Sequence, residues 1–144
     1  MIITNFLVNL NFGSGILILP GAGSSLAVVL DNVTSAGNTY GVAAAAGARI
    51  MIKRSGISGN STAGVEADPG SFIGINDTLV SHNGTGIIAN GGSSVAISNS
   101  DINSSTTAFS GPTVSYGNNR VFANGTVGTP PTPIGAASNQ FGQQ

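Results

Sequence analysis

The chain of 144 residues has no cysteine and no tryptophan, and only 6% of its residues are charged. Without cysteine, disulfide bonds and thiolate chemistry are excluded. The net charge of −1 provides no basic surface of the kind that binds nucleic acid or an anionic membrane. Charged residues usually make up about a quarter of a soluble chain. Solubility must therefore come from Asn, Ser, Thr and Gly on the outer surface.

Long apolar segments are also missing. No apolar run approaches the length of a membrane span, so no span is predicted. Residues 1–10 lack a basic region and are interrupted by Asn5 and Asn9, so no secretion signal is predicted either. A chain of this length is expected to form one domain.

What the chain does contain is a repeat of 22 to 26 residues. Successive copies of a small residue followed by an apolar one are separated by 26, 23, 22 and 22 residues. The copies are Gly15-Ile16, Gly41-Val42, Gly64-Val65, Gly86-Ile87 and Ala108-Phe109. A constant period of this length predicts a stack of coils, each too small to bury its own core alone.

Other apolar positions recur with the same period and form columns. The first column is Met1, Leu26, Ile50, Ile73 and Val95, and the second is Ile3, Val28, Ile52, Ile75 and Ile97. The third is Val8, Val33, Ile57, Val80 and Ile102, and a column of mostly small residues is Ile18, Ala44, Ala67, Ala89 and Gly111. A spacing of two places side chains on one face of a strand, and no segment has a helical period. The sequence therefore predicts an all-β fold, a right-handed parallel β-helix of five to six coils with three short strands per coil.

The end of the chain continues this pattern only in part. Val114, Tyr116 and Val121 repeat the spacing of the preceding coil, which puts Tyr116 in a core column. We therefore expect a β-helix over residues 1–125 and a tail rich in Pro, Gly and Gln over residues 126–144.

A polar column marks one corner of the predicted coils. Its members are Asn11, Asn38, Asn60, Asn83 and Ser105. Stacked asparagines can form a ladder of side-chain hydrogen bonds. Asparagine is also an ordinary turn residue, and both interpretations explain the column.

Three strings in the chain resemble a known family. They are residues 29–34 (VLDNVT), residues 60–65 (NSTAGV) and residues 115–121 (SYGNNRV). They are similar to segments of bacterial right-handed parallel β-helix repeat proteins with the pectate-lyase-like fold, over roughly residues 1–125. The resemblance implies an extracellular or cell-surface location, and it implies acidic polysaccharides as the substrates of those relatives that are active.

Polysaccharide cleavage would require carboxylates on neighbouring coils, either as an acid and base pair or as calcium ligands. The five acids are Asp31, Glu66, Asp68, Asp77 and Asp101. The predicted register places Asp31 beside Ser55, and Asp77 beside Arg54, so that no column holds two acids. The lone histidine, His82, lies in a predicted surface turn. The sequence therefore predicts no catalytic residues, no metal site and no cofactor.

A few residues are candidates for binding a ligand. Glu66 and Asp68 lie close enough in sequence to offer two oxygens to a cation, which is few for calcium. Phe72 is predicted to point outward, and Tyr40 lies at a corner, so either ring could stack against a sugar. No column collects several aromatic rings.

The predicted function follows from the ends of the stack. An uncapped coil exposes strand edges that can pair with another chain, and head-to-tail pairing produces fibres. The predicted self-association edges are Met1, Ile3, Val8 and Ile16 below, and Val114 and Val121 above. We therefore expect a non-enzymatic structural or adhesive rod that forms a homo-oligomer or fibre. The alternatives are an extracellular polysaccharide-binding protein and a polysaccharide lyase or hydrolase.

Overall fold

The computed structural model describes residues 1–134, which form seventeen β-strands and no helix. The strands are β1 (Ile2–Asn9), β2 (Ser14–Ile18), β3 (Leu26–Ala36), β4 (Tyr40–Ala44), β5 (Ala48–Lys53), β6 (Gly56–Ser58), β7 (Ala63–Ala67), β8 (Phe72–Asn76), β9 (Leu79–Ser81), β10 (Thr85–Ala89), β11 (Ser94–Ser98), β12 (Asp101–Asn103), β13 (Thr107–Ser110), β14 (Thr113–Ser115), β15 (Arg120–Phe122), β16 (Thr126–Gly128) and β17 (Thr132–Pro133). No part of the described chain is a helix that could cross a membrane.

Each coil pairs in parallel with the coils above and below it. The third strands of the coils form a six-stranded sheet in the order β2, β4, β7, β10, β13 and β16. The first and second strands form two further faces, which the long strand β3 joins because it pairs with both β5 and β6. The prediction of an all-β parallel solenoid with three strands per coil is confirmed.

The core consists of aliphatic side chains stacked one coil above another. Ile50, Ile73 and Val95 pair in register and are each at most 1% exposed. The predicted columns through Val42 and Ala44 on the six-stranded sheet are likewise in register. The interior is thus the set of inward positions that the repeat indicates.

In the second coil, the predicted register is wrong by two residues. Val28, and not Leu26, pairs with Ile50. On the next face Ser35, and not Val33, pairs with Ile57. A shift of two keeps the same side chains facing inward, so the apolar pattern alone accepts either register. The buried Ser35 is satisfied because its hydroxyl donates a hydrogen bond of 2.8 Å to the backbone carbonyl of residue 41.

In the sixth coil, the predicted register of β14 is wrong by one residue. Thr113 pairs with Val95 and is 1% exposed, whereas Val114 and Tyr116 point outward. The corner between β13 and β14 contains two residues, compared with four between β10 and β11. The shorter corner begins the strand earlier, and a slip of one residue exchanges the two faces of a strand.

The solenoid continues beyond residue 125, where the sequence places the start of the tail. β16 pairs with β13, and β17 pairs with β14. The remainder of the predicted tail, residues 135–144, lies outside the described residues.

The asparagine corner is a continuous ladder of hydrogen bonds. The backbone N–H of each member donates to the side-chain oxygen of the next member above, at 3.0 to 3.2 Å. The members are Asn11, Asn38, Asn60, Asn83, Ser105 and Asn124. The ladder pairs buried backbone donors that a corner would otherwise leave unsatisfied, so it is more than a set of turn residues.

Candidate functional site

The lower end of the solenoid is its most apolar surface, and we call residues 1–19 the first-coil face. Eight of the sixteen large apolar side chains that are exposed in the described chain lie here. They are Met1, Ile2, Phe6, Leu7, Leu10, Phe12, Leu17 and Leu19. In the described part of the chain, β1 and β2 each pair on one side only, with β3 and β4, so their lower backbone groups are available to another strand.

The predicted edge residues of this face occupy core positions that are open from below. Met1 is 63% exposed, whereas Ile3 and Val8 are half-buried and pack against the core. Ile16 is buried and pairs with Val42 in the coil above. The face therefore continues the interior columns of the stack.

Among residues 1–134, no strand covers the upper edges of β15 and β16, whereas β14 is covered. Val121 pairs with Ile102 below it and is 37% exposed, while Phe122 and Val127 are also exposed. β14 is covered by β17, and its Val114 points to the outer face, so the predicted role of Val114 in a core edge is wrong.

The two ends of the asparagine ladder carry complementary groups. Within residues 1–134, no donor contacts Oδ1 of Asn11 and no acceptor contacts the backbone N–H of Asn124. The bottom of the ladder thus offers a side-chain carbonyl acceptor and the top offers a backbone N–H donor. Together these two groups could form one more hydrogen bond of the same kind.

A second surface, which we call the corner groove, runs along the corner between the first and second faces. Its volume is about 610 Å³, and one wall carries Asp77, Asn99 and Asn118, the other Leu79, Asp101 and Arg120. The hydroxyl residues Ser55 and Thr78 form the floor. Pockets for small molecules commonly have volumes of this order.

Charge in the corner groove is unevenly paired. Arg120 donates through Nε and Nη2 to the two oxygens of Asp101, at 2.6 and 2.5 Å. This hydrogen bond and the carboxylate charge raise the pKa of Arg120 above its ordinary value. Within the described residues no side chain contacts the carboxylate of Asp77. Asp77 is thus the acid in this groove whose oxygens are open to a ligand.

Arg54 does not pair with Asp77, its neighbour in the predicted register. Its guanidinium contacts Asp31 in the coil below, at 2.5 Å, and Lys53 contacts the same carboxylate oxygen at 3.3 Å. The other oxygen, Oδ1 of Asp31, is buried without a hydrogen-bond partner in the described chain. The expected pairing of Asp31 with Ser55 is wrong because Asp31 pairs with Lys53 in the corrected register.

The four predicted ligand-binding residues do not form one site. Glu66 points outward on β7, and partial burial, followed by the charge of Asp68, raises its pKa. Asp68 accepts a hydrogen bond from Asn90 at the next corner. Tyr40 begins β4, and Phe72 lies on the outer side of the first face. Glu66 and Asp68 are therefore neighbours, Tyr40 begins the adjacent strand of the same sheet, and Phe72 lies on a different face.

Phe72 does have an apolar neighbourhood that the sequence did not reveal. Met51, Phe72, Gly74 and Tyr116 line a shallow hollow of about 100 Å³ on the outer side of the first face. A side chain at Gly74 would come within 2.8 Å of the Met51 methyl group, so the glycine makes room for the thioether. The sequence did not indicate that Tyr116 belongs to this hollow, because the predicted register of β14 was wrong by one residue and placed the ring in the core.

The described residues contain no group of three or more His, Cys, Asp or Glu side chains arranged to hold a metal ion. His82 occupies an exposed corner with a φ of 54°. The corner groove can therefore offer hydrogen bonds, one open carboxylate and the aliphatic side chain of Leu79, which is 43% exposed.

Comparisons with known proteins bear on the fold. A search of curated proteins and a search of solved structures each return no significant match. The family model described as the right-handed beta helix region matches residues 1–129. This match spans most of the chain and agrees with the parallel three-stranded coils, so the protein belongs to the right-handed β-helix family.

Proposed function

We propose that the protein is a non-enzymatic structural rod that associates end to end through its first-coil face. The observation that carries the proposal is the concentration of eight exposed apolar side chains on one end of the stack. Apolar patches of this kind on an otherwise polar protein mark interaction sites. The open edges of β1 and β2 add backbone donors and acceptors for a further strand.

The energies involved suggest association that depends on concentration. Full burial of a large aliphatic or aromatic side chain contributes roughly 1.5–3 kcal/mol. These side chains are already partly covered, and Ile2, Leu7 and Leu17 face outward, so stacking would cover them only at their lower edge. At about half of full burial, the eight would contribute roughly 6–12 kcal/mol, before the cost of association of about 4–15 kcal/mol. The two terms are similar in size, so a contact of this kind should be reversible.

Sedimentation velocity over a range of protein concentrations, with negative-stain images of the same samples, tests the proposal. We expect the mean mass to rise with concentration and Phe6→Lys to abolish the rise. Phe6 is 47% exposed and lies at the lower opening of the core. Leu79→Lys is the matched control, because Leu79 is 43% exposed on a side of the solenoid. Compact monomers at every concentration, or assembly by Phe6→Lys equal to that of the native protein, would refute the proposal.

The corner groove supports a second candidate function, the binding of a polysaccharide outside the cell. Amides, hydroxyls and a carboxylate pair with sugar hydroxyls, and Leu79 offers an apolar contact for a ring. Asp77, Asp101 and Arg120 give the groove a net charge of −1 (two acids and one base). An acidic polysaccharide would place like charges beside Asp77, so a neutral chain fits better.

Affinity electrophoresis through gels containing a neutral glucan or a polygalacturonate tests this candidate. We expect the neutral glucan alone to retard the protein, and Asp77→Asn to weaken the effect, with Glu66→Gln as a control on another face. Equal mobility in all gels would exclude binding of these probes. Release of new reducing ends or unsaturated uronates from polygalacturonate would instead indicate the polysaccharide-cleaving alternative.

A further inference from the structure

We propose that the first coil of a second copy docks on the upper end in the register of the repeat, and that β17 competes with it. This inference rests on the proposed end-to-end association and assigns its partner surface. The two ends of the stack offer more specific complementarity than the corner groove, the outer hollow or the cluster around Asp31.

The columns of the solenoid define the register of the docked copy. The second face runs upward through Val8, Ser35, Ile57, Val80, Ile102 and Val121. The third runs through Ser14, Tyr40, Ala63, Thr85, Thr107 and Thr126. Adding one more coil therefore places Val8 of the second copy above Val121, where it covers an exposed apolar side chain. Ser14 lies above Thr126 in the same arrangement.

The asparagine ladder continues through this junction without a break. Asn11 of the second copy lies above Asn124, where its Oδ1 accepts the hydrogen bond that the N–H of Asn124 offers. The same step joins Ser105 to Asn124 within the chain, at 3.0 Å. A head-to-head contact between two first-coil faces would bring two acceptors together and would leave both Asn124 donors unused.

β17 occupies part of the level that the second copy needs. Thr132 pairs with Val114, and this column descends to Val29 and Ile2. Residues 2–4 of a second copy and residues 132–133 of the first therefore cannot both pair with β14. The short strand is held by few contacts, among them a hydrogen bond of 2.8 Å from the backbone N–H of Ile134 to the carbonyl of Ser115. Pro133 can donate no backbone hydrogen bond. β17 is thus a weak cap that docking must displace.

Engineered cysteines test the register, since the native chain has none. Paired residues of adjacent parallel strands lie about 4.8 Å apart, within reach of a disulfide. Val8 and Val121 of one molecule are separated by five coil steps, or roughly 24 Å, so they cannot be joined internally. We expect a mixture of full-length Val8→Cys and Val121→Cys proteins to form crosslinked heterodimers under mild oxidation.

Two outcomes separate this inference from the proposed function. If Val8→Cys alone crosslinks to itself as efficiently as the mixture crosslinks, association is head to head and the register is refuted, although association stands. If the protein associates but neither the mixture nor Val8→Cys alone forms crosslinks, the register is likewise refuted. If no association occurs at all, both proposals fail.

The capping role of β17 is tested in the full chain by Ile134→Pro, which removes the hydrogen bond to Ser115. Ile134→Ala keeps that backbone donor and is the matched control. We expect Ile134→Pro to raise the association constant roughly two- to tenfold over the control, the effect of one lost hydrogen bond in the competing state. Equal association constants would overturn the capping role.

Discussion

Replacement of Asn60 by alanine should destabilise the fold through the centre of the asparagine ladder. Asn60 is 1% exposed, and its Oδ1 accepts hydrogen bonds from the backbone N–H and the side-chain amide of Asn38, at 3.0 and 3.2 Å. Its own amide donates to Asn83 at 2.9 Å. Alanine removes these bonds and leaves a buried backbone donor of Asn38 without a partner, which costs about 1–3 kcal/mol. The loss of the hydrogen bond to Asn83 adds a smaller cost, so we expect the free energy of unfolding to fall by about 2–4 kcal/mol in total.

Serine at the same position provides an internal comparison. Ser105 already accepts a hydrogen bond from the backbone N–H of Asn83 through its hydroxyl, at 3.2 Å. Asn60→Ser should therefore keep the backbone bond and lose only about 1 kcal/mol. Urea unfolding followed by circular dichroism measures both losses, provided that the slope m is unchanged. Equal losses for serine and alanine would refute the assignment of the main cost to the backbone donor, and an alanine variant as stable as the native protein would refute the role of the ladder.

Two further substitutions test the packing and the electrostatics of the stack. Gly64→Ala would place a methyl group 2.7 Å from a carbonyl oxygen and 2.8 Å from the amide of Asn83; urea unfolding should show a loss of about 1–3 kcal/mol. Gly56→Ala, where the added methyl group would meet no atom within 4 Å apart from the adjoining residues, should change stability by less than about 0.5 kcal/mol. Because partial burial and then Asp68 raise the pKa of Glu66 in the folded state, ionisation of this acid opposes folding above that raised value. Glu66→Gln should therefore stabilise the protein at neutral pH, and its advantage should shrink as the pH falls through the raised pKa and vanish below the ordinary value of 4.5; an advantage independent of pH would contradict this cause.

The architecture could be predicted from the sequence because every coil of a solenoid requires the same pattern of apolar residues. Every coil needs apolar side chains at the same inward positions, and Val42, Val65 and Ile87 satisfy that need one repeat apart. Register is harder to predict, because Leu26 and Val28 are both apolar and both face one side of the strand. The asparagine ladder carried the missing information. The apolar column lies three positions before the asparagine in the first, third and fourth coils, and in the second coil Ser35 is the residue at that offset from Asn38.

The sixth coil shows a different limit of sequence reasoning. Thr113 lies in the core column above Val95 with its hydroxyl buried and unpaired within the described chain. An apolar pattern assigns that position to Val114 instead, since valine is the better core residue. The register of β14 is set by the short corner before it and not by the polarity of its side chains. A prediction from polarity alone therefore places Tyr116 inside, whereas the structure places it outside.

The corner groove depends on side chains that differ from coil to coil, and for that reason periodicity could not locate it. At the corner groove, successive coils place a residue in the left-handed region, and asparagine suits that backbone: Asn32 has a φ of 54° and Asn99 a φ of 45°. Arg54 has a φ of 48° in the same column, where a residue of its kind costs about 1–2 kcal/mol. Its guanidinium contacts Asp31 in the coil below, so that within the described residues Asp77 in the coil above has no cation beside it. The one open carboxylate of the groove thus results from a charge pair between neighbouring coils, which depends on the three-dimensional register and not on the order of residues.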